Sequence, residues 1–206
     1  MSKENKKGKS FGARTTASNV NYTHYSLTQQ FLEREDFDYS KSVLEPCCGA
    51  CHMAYVLAER FTDIDLYDID NQEFHGDFYK EKRNFDYVIT NPPYGKEADK
   101  FVLKAKEVAR LKVAMLLRTN YLSGTTRLNA GIFEELKNVY IFTRMPDFTA
   151  EIRDDGKYPT AMIVYAWLVW EKGYKGKPNM EWIDNQDYVL TAEDKRKSLE
   201  ELGIEG

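Results

Sequence analysis

The feature that most constrains this chain is a pair of adjacent prolines, Pro92-Pro93, closing the apolar run Phe85-Asp86-Tyr87-Val88-Ile89-Thr90. Proline fixes φ and has no N–H to give to a ladder, so a central strand cannot continue through two of them. The run therefore predicts a strand over Phe85–Thr90 that stops at Asn91. Beyond the turn, Phe101, Leu103, Ala105, Val108 and Ala109 recur at helical spacing and predict a helix from Glu97 to Arg110. The same strand–turn–helix unit repeats. Ser42–Glu45 reads as a short strand ended by Pro46, and Met53, Val56, Leu57 and Phe61 place a helix over Ala50–Arg60. Strands are expected at Asp65–Ile69, Lys112–Leu117 and Val139–Thr143, with a helix around Ile132–Leu136. A short helix over Ser26–Arg34, through Leu27, Gln30, Phe31 and Arg34, precedes them all. Ala161–Trp170, dense in β-branched and aromatic residues, is the strongest strand signal. Strands alternating with helices of about ten residues predict an α/β domain with a mainly parallel sheet. The last of these strands follows a loop, which allows it an antiparallel place.

A chain of 206 residues suits one domain with a full core. No apolar run approaches the roughly 18 residues a membrane span needs. Met1 to Arg14 is lysine-rich without an apolar centre, so it does not read as a secretory signal, and a cytoplasmic location is the default expectation. The net charge of −4 does not announce a nucleic-acid binder, but the charge is uneven. Lys3, Lys6, Lys7, Lys9 and Arg14 load the start, and Glu193, Asp194, Glu200, Glu201 and Glu205 load the end. Residues 1–18 are expected to be a disordered basic tail, either a solubilising lead-in or an arm touching phosphates. Residues 19–172 form the expected domain, and 173–206 a charged extension with room for a strand near Trp182.

The turn after the first strand reads Glu45-Pro46-Cys47-Cys48-Gly49-Ala50-Cys51. In open parallel sheets, ligands bind beyond the carboxyl ends of strands, where a small-residue turn lets a cofactor approach the backbone. An acid there, Glu45, suits a cationic ligand such as an amino-acid ammonium. A second acid, Asp68, ends the next strand, where a carboxylate accepts from ribose hydroxyls. The clustered Cys47, Cys48 and Cys51 make a poor disulfide framework. With His52 or His75 they offer thiolate and imidazole to zinc. Against that reading, no second cysteine pair exists and two of the three are adjacent, so no metal is expected.

Asn91-Pro92-Pro93-Tyr94-Gly95 carries the chemistry. Two prolines remove two donors and leave carbonyls free, so the strand end is an acceptor site for a group with two N–H bonds. An aromatic amine is such a group, and its lone pair is delocalised into the ring. Accepting its protons on the Asn91 side-chain oxygen and the Pro92 carbonyl favours a pyramidal nitrogen able to attack. Tyr94 would stack on the ring.

These residues resemble the amino-group-methylating branch of the Rossmann-like methyltransferases, specifically DNA N6-adenine methyltransferases of the small phage and prophage type. The resemblance covers roughly residues 20–172. It implies a Rossmann-like fold with a mostly parallel seven-stranded sheet, an antiparallel strand and helices on both faces. It implies S-adenosylmethionine as cofactor, no metal, and Asn91, Pro92 and Tyr94 as catalytic residues. Cofactor contacts are implied for Tyr22, Thr23, Glu45, Pro46, Cys47, Gly49, Asp68, Ile69, Asp77, Phe78 and Asn91, with Asp77 accepting from the cofactor's adenine amine and Phe78 stacking on its purine. Pro93, Tyr94 and Phe148 are implied to face the target base. The chain departs from the family at Cys51, where a second glycine is usual, and at His24, where proline commonly follows the threonine.

The implied partner is DNA, as a duplex with a flipped adenine or a single strand, acted on by a monomer or weak dimer. Only Arg118–Gly131, with Arg127 and Asn129, Phe148–Tyr158, with Arg153 and Lys157, and the tails remain to read sequence. A short recognition sequence or a specificity partner is therefore expected. The same tetrapeptide also serves enzymes acting on RNA bases and protein glutamine amides, and a fold that kept binding but lost catalysis remains open.

Overall fold

The structure is a computed structural model describing residues 23, 25–49, 51–70, 74–144 and 163–184. Its helices are α1 (Tyr25–Leu32), α2 (His52–Ala58), α3 (Lys96–Val108) and α4 (Thr125–Asn129). Its strands are β1 (Ser42–Glu45), β2 (Asp63–Leu66), β3 (Phe85–Thr90), β4 (Ala109–Arg118), β5 (Leu136–Phe142), β6 (Tyr165–Glu171) and β7 (Asn179–Ile183). They form one seven-stranded sheet in the order β2-β1-β3-β4-β6-β5-β7. Only β6 runs against its neighbours, β4 and β5; every other pairing is parallel.

Both faces of this sheet are covered, which is why its central strands are apolar at consecutive positions rather than alternate ones. Leu44, Val88, Val113, Met115, Leu117, Leu168 and Trp170 point to the face packed by α3, with Phe101, Val102 and Ala105. Val43, Tyr87, Ile89, Ala114, Leu116, Trp167 and Val169 point to the other, packed by α1 and α2 through Leu27, Phe31, Met53, Val56 and Leu57. The Trp167 ring stacks on Phe31 at 4.2 Å and its Nε1–H donates to the Leu27 carbonyl at 3.2 Å. One tryptophan thereby fixes α1 against the antiparallel strand.

The strand expected at Phe85–Thr90 forms over those residues, and the expected mostly parallel sheet with one antiparallel strand is found. Several local readings differ; the helix expected to reach Arg110 ends at Val108, and Ala109 and Arg110 open β4 ahead of the expected Lys112. The segment Ile132–Leu136 is not helical: it is a run of turns between Gly131, φ 68°, and Glu135, φ 66°, and Leu136 already opens β5. Ile132 and Leu136 are both buried, so the two anchors of a turn mimicked helical spacing. The second strand lies at Asp63–Leu66 rather than Asp65–Ile69, because the chain leaves the sheet before Asp68 and exposes Ile69. The strand read at Ala161–Trp170 is β6, Tyr165–Glu171; Ile163 and Val164 stand outside it, and Ala161 and Met162 lie outside the described residues. Past residue 172 the chain adds β7, with Trp182 in it, as a parallel edge strand on β5.

Candidate active site

The strand order reverses at β1: the chain moves outward to β2, then returns to place β3 on the other side. The carboxyl ends of β1 and β3, paired side by side, lie at that reversal, the place where open α/β sheets bind ligands. Glu45 ends β1 and Asn91 follows β3, so the two residues singled out on chemistry both stand there.

Glu45 is 1% exposed. Its Oε1 accepts from Thr90 Oγ1 at 2.6 Å and from the Cys47 N–H at 3.0 Å. Its Oε2 is buried with no hydrogen-bond partner among the described residues. Burial pushes the carboxyl up to about 8 against these two donors. A buried acceptor left unpaired is costly, and a cationic donor reaching Oε2 would remove that cost. This is the fit expected for an ammonium group.

The turn that follows is held by its own backbone. Gly49, at φ 52°, donates its N–H to Asp68 Oδ2 at 2.8 Å, and the Cys48 N–H donates to the Tyr67 carbonyl at 2.9 Å. Asp68 Oδ1 accepts from the Asp70 N–H at 2.9 Å. The acid at the end of the second strand thus ties its own loop to the first one. Cys51 precedes α2 at φ 62°, in the left-handed region that favours glycine. Burial pushes the Cys47 thiol well up, and its bond with Cys51 raises Cys48, so both stay protonated and poorly reactive. Among the described residues no group of three or more His, Cys, Asp or Glu side chains could hold a metal.

Asn91 is oriented from both sides. Its Nδ2 donates to Thr23 Oγ1 at 2.8 Å, and its Oδ1 accepts from the Tyr94 hydroxyl at 2.6 Å. Thr23 and Asn91 were read separately, and the structure brings them together. The amide oxygen read as the amine acceptor is therefore engaged by the neighbouring tyrosine in this state. Pro92 is buried and Pro93 exposed. The Tyr94 ring lies 5.5 Å from Tyr165 of β6 and 5.0 Å under the Arg118 guanidinium of β4. Burial, then Tyr165, pushes its phenol far above the ordinary value, so it stays a neutral donor.

The residues read as contacts to the cofactor's adenine occupy a separate stretch. Asp77 caps a short 3-10 turn, accepting from the Tyr79 N–H at 3.0 Å and pairing with Lys80 at 3.1 Å. Phe78 is buried in the core against Phe101, at 5.0 Å between rings, while Tyr79 beside it is largely exposed. Ile69 is 62% exposed next to Asp68. Tyr22 and Phe148 lie outside the described residues. Sequence reading missed Thr90 and Tyr165, and took Arg118 only as the start of a segment left to read DNA, not as a neighbour of Tyr94. Thr90 is one polar residue in an apolar run, a signal that could have been used. Tyr165 comes from another strand and carried none.

No protein-family model matches the chain, and no curated protein matches its sequence. Solved structures match it in shape. The methyltransferase subunit of a type I restriction-modification system from Streptococcus thermophilus superposes with a TM-score of 0.51 at 14% identity, over 87% of this chain and 51% of that one. The M protein of the type I restriction enzyme EcoKI gives 0.54 at 11% identity, over 89% and 53%. Protein Atu636 of Agrobacterium tumefaciens, described as a predicted O-methyltransferase, gives 0.52 at 12% identity, over 89% and 98%. The chain spans about half the length of the two restriction-system proteins. With identities this low the likeness speaks for architecture alone. On that likeness, and on its strand order with a single antiparallel strand, the chain has the Rossmann-like methyltransferase fold.

Proposed function

We propose that this protein is an S-adenosylmethionine-dependent methyltransferase acting on the exocyclic N6 amine of adenine in DNA. The observation that carries the reading is the pair at the reversal of strand order: a buried Glu45 with an unsatisfied Oε2, and an Asn91 amide locked between Thr23 and Tyr94. One presents an acceptor to a cation, the other to an amine. S-adenosylmethionine, when bound, supplies a sulfonium-activated methyl group. Glu45 would hold its ammonium, the Pro46–Gly49 turn would lie along it, and Asp68 and Asp77 would accept from its ribose and adenine.

The flipped adenine displaces the Tyr94 hydroxyl from Asn91 Oδ1, and the freed oxygen accepts one N6 proton. The Pro92 carbonyl accepts the other, and the Tyr94 ring packs on the purine. The nitrogen would take the methyl group as the sulfur–methyl bond breaks to leave a neutral thioether, and would shed one proton to solvent. Orientation supplies most of the acceleration, on the order of 7–11 kcal/mol at best, and the two acceptors add an electrostatic share. The reading includes a separate specificity partner and a role in modification; the acceptor chemistry of Asn91-Pro92-Pro93-Tyr94 is what supports a base amine as the target.

The test is mass spectrometry of nucleosides from DNA and from RNA incubated with the protein and labelled cofactor. N6-methyladenine should appear in DNA. Asn91→Ala should bind S-adenosylmethionine within a few-fold of the parent and lose turnover by orders of magnitude. Label in RNA alone, or near-parental methylation by Asn91→Ala, overturns the assignment.

A further inference from the structure

Arg118 ends β4, the strand beside β3 in the sheet. Thr90 lies level with Met115, so Arg118 stands three residues further out, roughly 10 Å beyond the point where β3 hands over to Asn91. Its guanidinium lies 5.0 Å from the Tyr94 ring, and its cross-strand neighbour is Tyr165, which packs on the same ring. The side chain is partly buried. Its Nε is fully buried and, among the described residues, has no hydrogen-bond partner.

Among the described residues, Arg34, Arg83, Arg110 and Arg127 each have a carboxylate within ion-pair distance. Arg118 has none there. A guanidinium carries five donors and cannot shed its charge, so a partly buried one without an anion is costly. The Tyr94 face offsets part of that cost. It satisfies no N–H.

We infer that Arg118 is a substrate-binding residue that takes a phosphate oxygen of the target strand beside the flipped nucleotide. This rests on the reading of Asn91-Pro92-Pro93-Tyr94 as the amine site. A phosphate fits because guanidinium and phosphate match in charge and fork geometry, and because the substrate is a polyanion approaching a protein of net charge −4. When Tyr94 leaves Asn91 to pack on the purine, it uncovers Arg118 in the same movement. An acceptor for the amine and a cation for its backbone are then offered together.

The experiment measures binding of a single-stranded, adenine-containing oligodeoxynucleotide to the full chain, with S-adenosylhomocysteine present, across a salt series. Each phosphate neutralised on a single strand contributes about 0.7 to the slope of log K against log salt. Arg118→Gln should lower the slope by about that amount and raise KM more than it lowers kcat. Arg118→Lys should keep the slope. An unchanged slope with reduced kcat would mean that Arg118 only props Tyr94, and an unchanged slope with an altered base preference would mean that it reads a base. Either result overturns the inference while leaving N6 methylation standing. Binding with the expected slope but no methylation by the parent protein defeats the N6 assignment and keeps Arg118 as a phosphate ligand. No binding by the parent overturns both.

Discussion

Cys51 holds a backbone conformation that side chains avoid. At φ 62° its Cβ crowds the carbonyl that follows, a cost of roughly 1–2 kcal/mol for a residue other than glycine. Glycine would remove that cost and add about 0.5–1 kcal/mol of unfolded-state entropy. Cys51→Gly should therefore stabilise the protein by roughly 0.5–1 kcal/mol, about 1–4 °C in Tm for a chain of this size. Thermal denaturation followed by circular dichroism checks it, and a drop in Tm would show that the contact with Cys48 outweighs the strain. At this scale the sequence was legible for the residues whose chemistry is local. Glu45 could be named because an acid closing an apolar strand has few reasons to be there. Its raised affinity for a proton could not, since that comes from the protein packed around it and is only opposed by the Thr90 hydroxyl.

Among the elements, β6 shows what one strand can decide. It is antiparallel between two parallel neighbours, and it delivers Tyr165 to the Tyr94 ring and Trp167 to α1. Trp167 is 0% exposed, stacked on Phe31 and hydrogen-bonded to Leu27. Trp167→Ala should cost about 3–5 kcal/mol, the range for emptying a large aromatic site. Urea denaturation should show this as a lower midpoint at an unchanged slope, and a loss under 1 kcal/mol would mean that α1 is not held there. The density of β-branched and aromatic residues made this strand easy to find, but its direction was only allowed by the sequence. The turn at Ile132–Leu136 was misread because two buried anchors four residues apart look the same in a turn and in a helix. Gly131 and Glu135, both at positive φ, separate the two cases only once the backbone is traced.

For the whole molecule, Glu45 couples the site to stability. Its carboxyl titrates near 8 in the folded protein against an ordinary value of 4.5, so the folded state keeps a proton that the unfolded chain gives up. That contribution is complete below pH 4.5 and is lost as the pH rises through 8. Without cofactor, Tm should fall between about pH 5 and 8, and Glu45→Gln should flatten the fall. A cationic ligand on Oε2 would favour the ionised carboxylate. Binding of S-adenosylhomocysteine at pH 7 should then release a proton, detected by calorimetry in buffers of different ionisation enthalpy. Identical heats in those buffers would place the ammonium elsewhere.

The sequence alone determined the strand that stops before Asn91 and the α/β alternation, because periodicity and proline geometry are properties of a few consecutive residues. Only the tertiary structure decided that Thr23 holds the Asn91 amide, that Tyr94 occupies its oxygen and, among the described residues, that Glu45 Oε2 lacks a partner and Arg118 stands over Tyr94 without an anion. Thr23 with Asn91, and Arg118 with Tyr94, come from different strands or loops. Which strands meet at a reversal of sheet order is settled by packing the whole chain, and no local pattern encodes it.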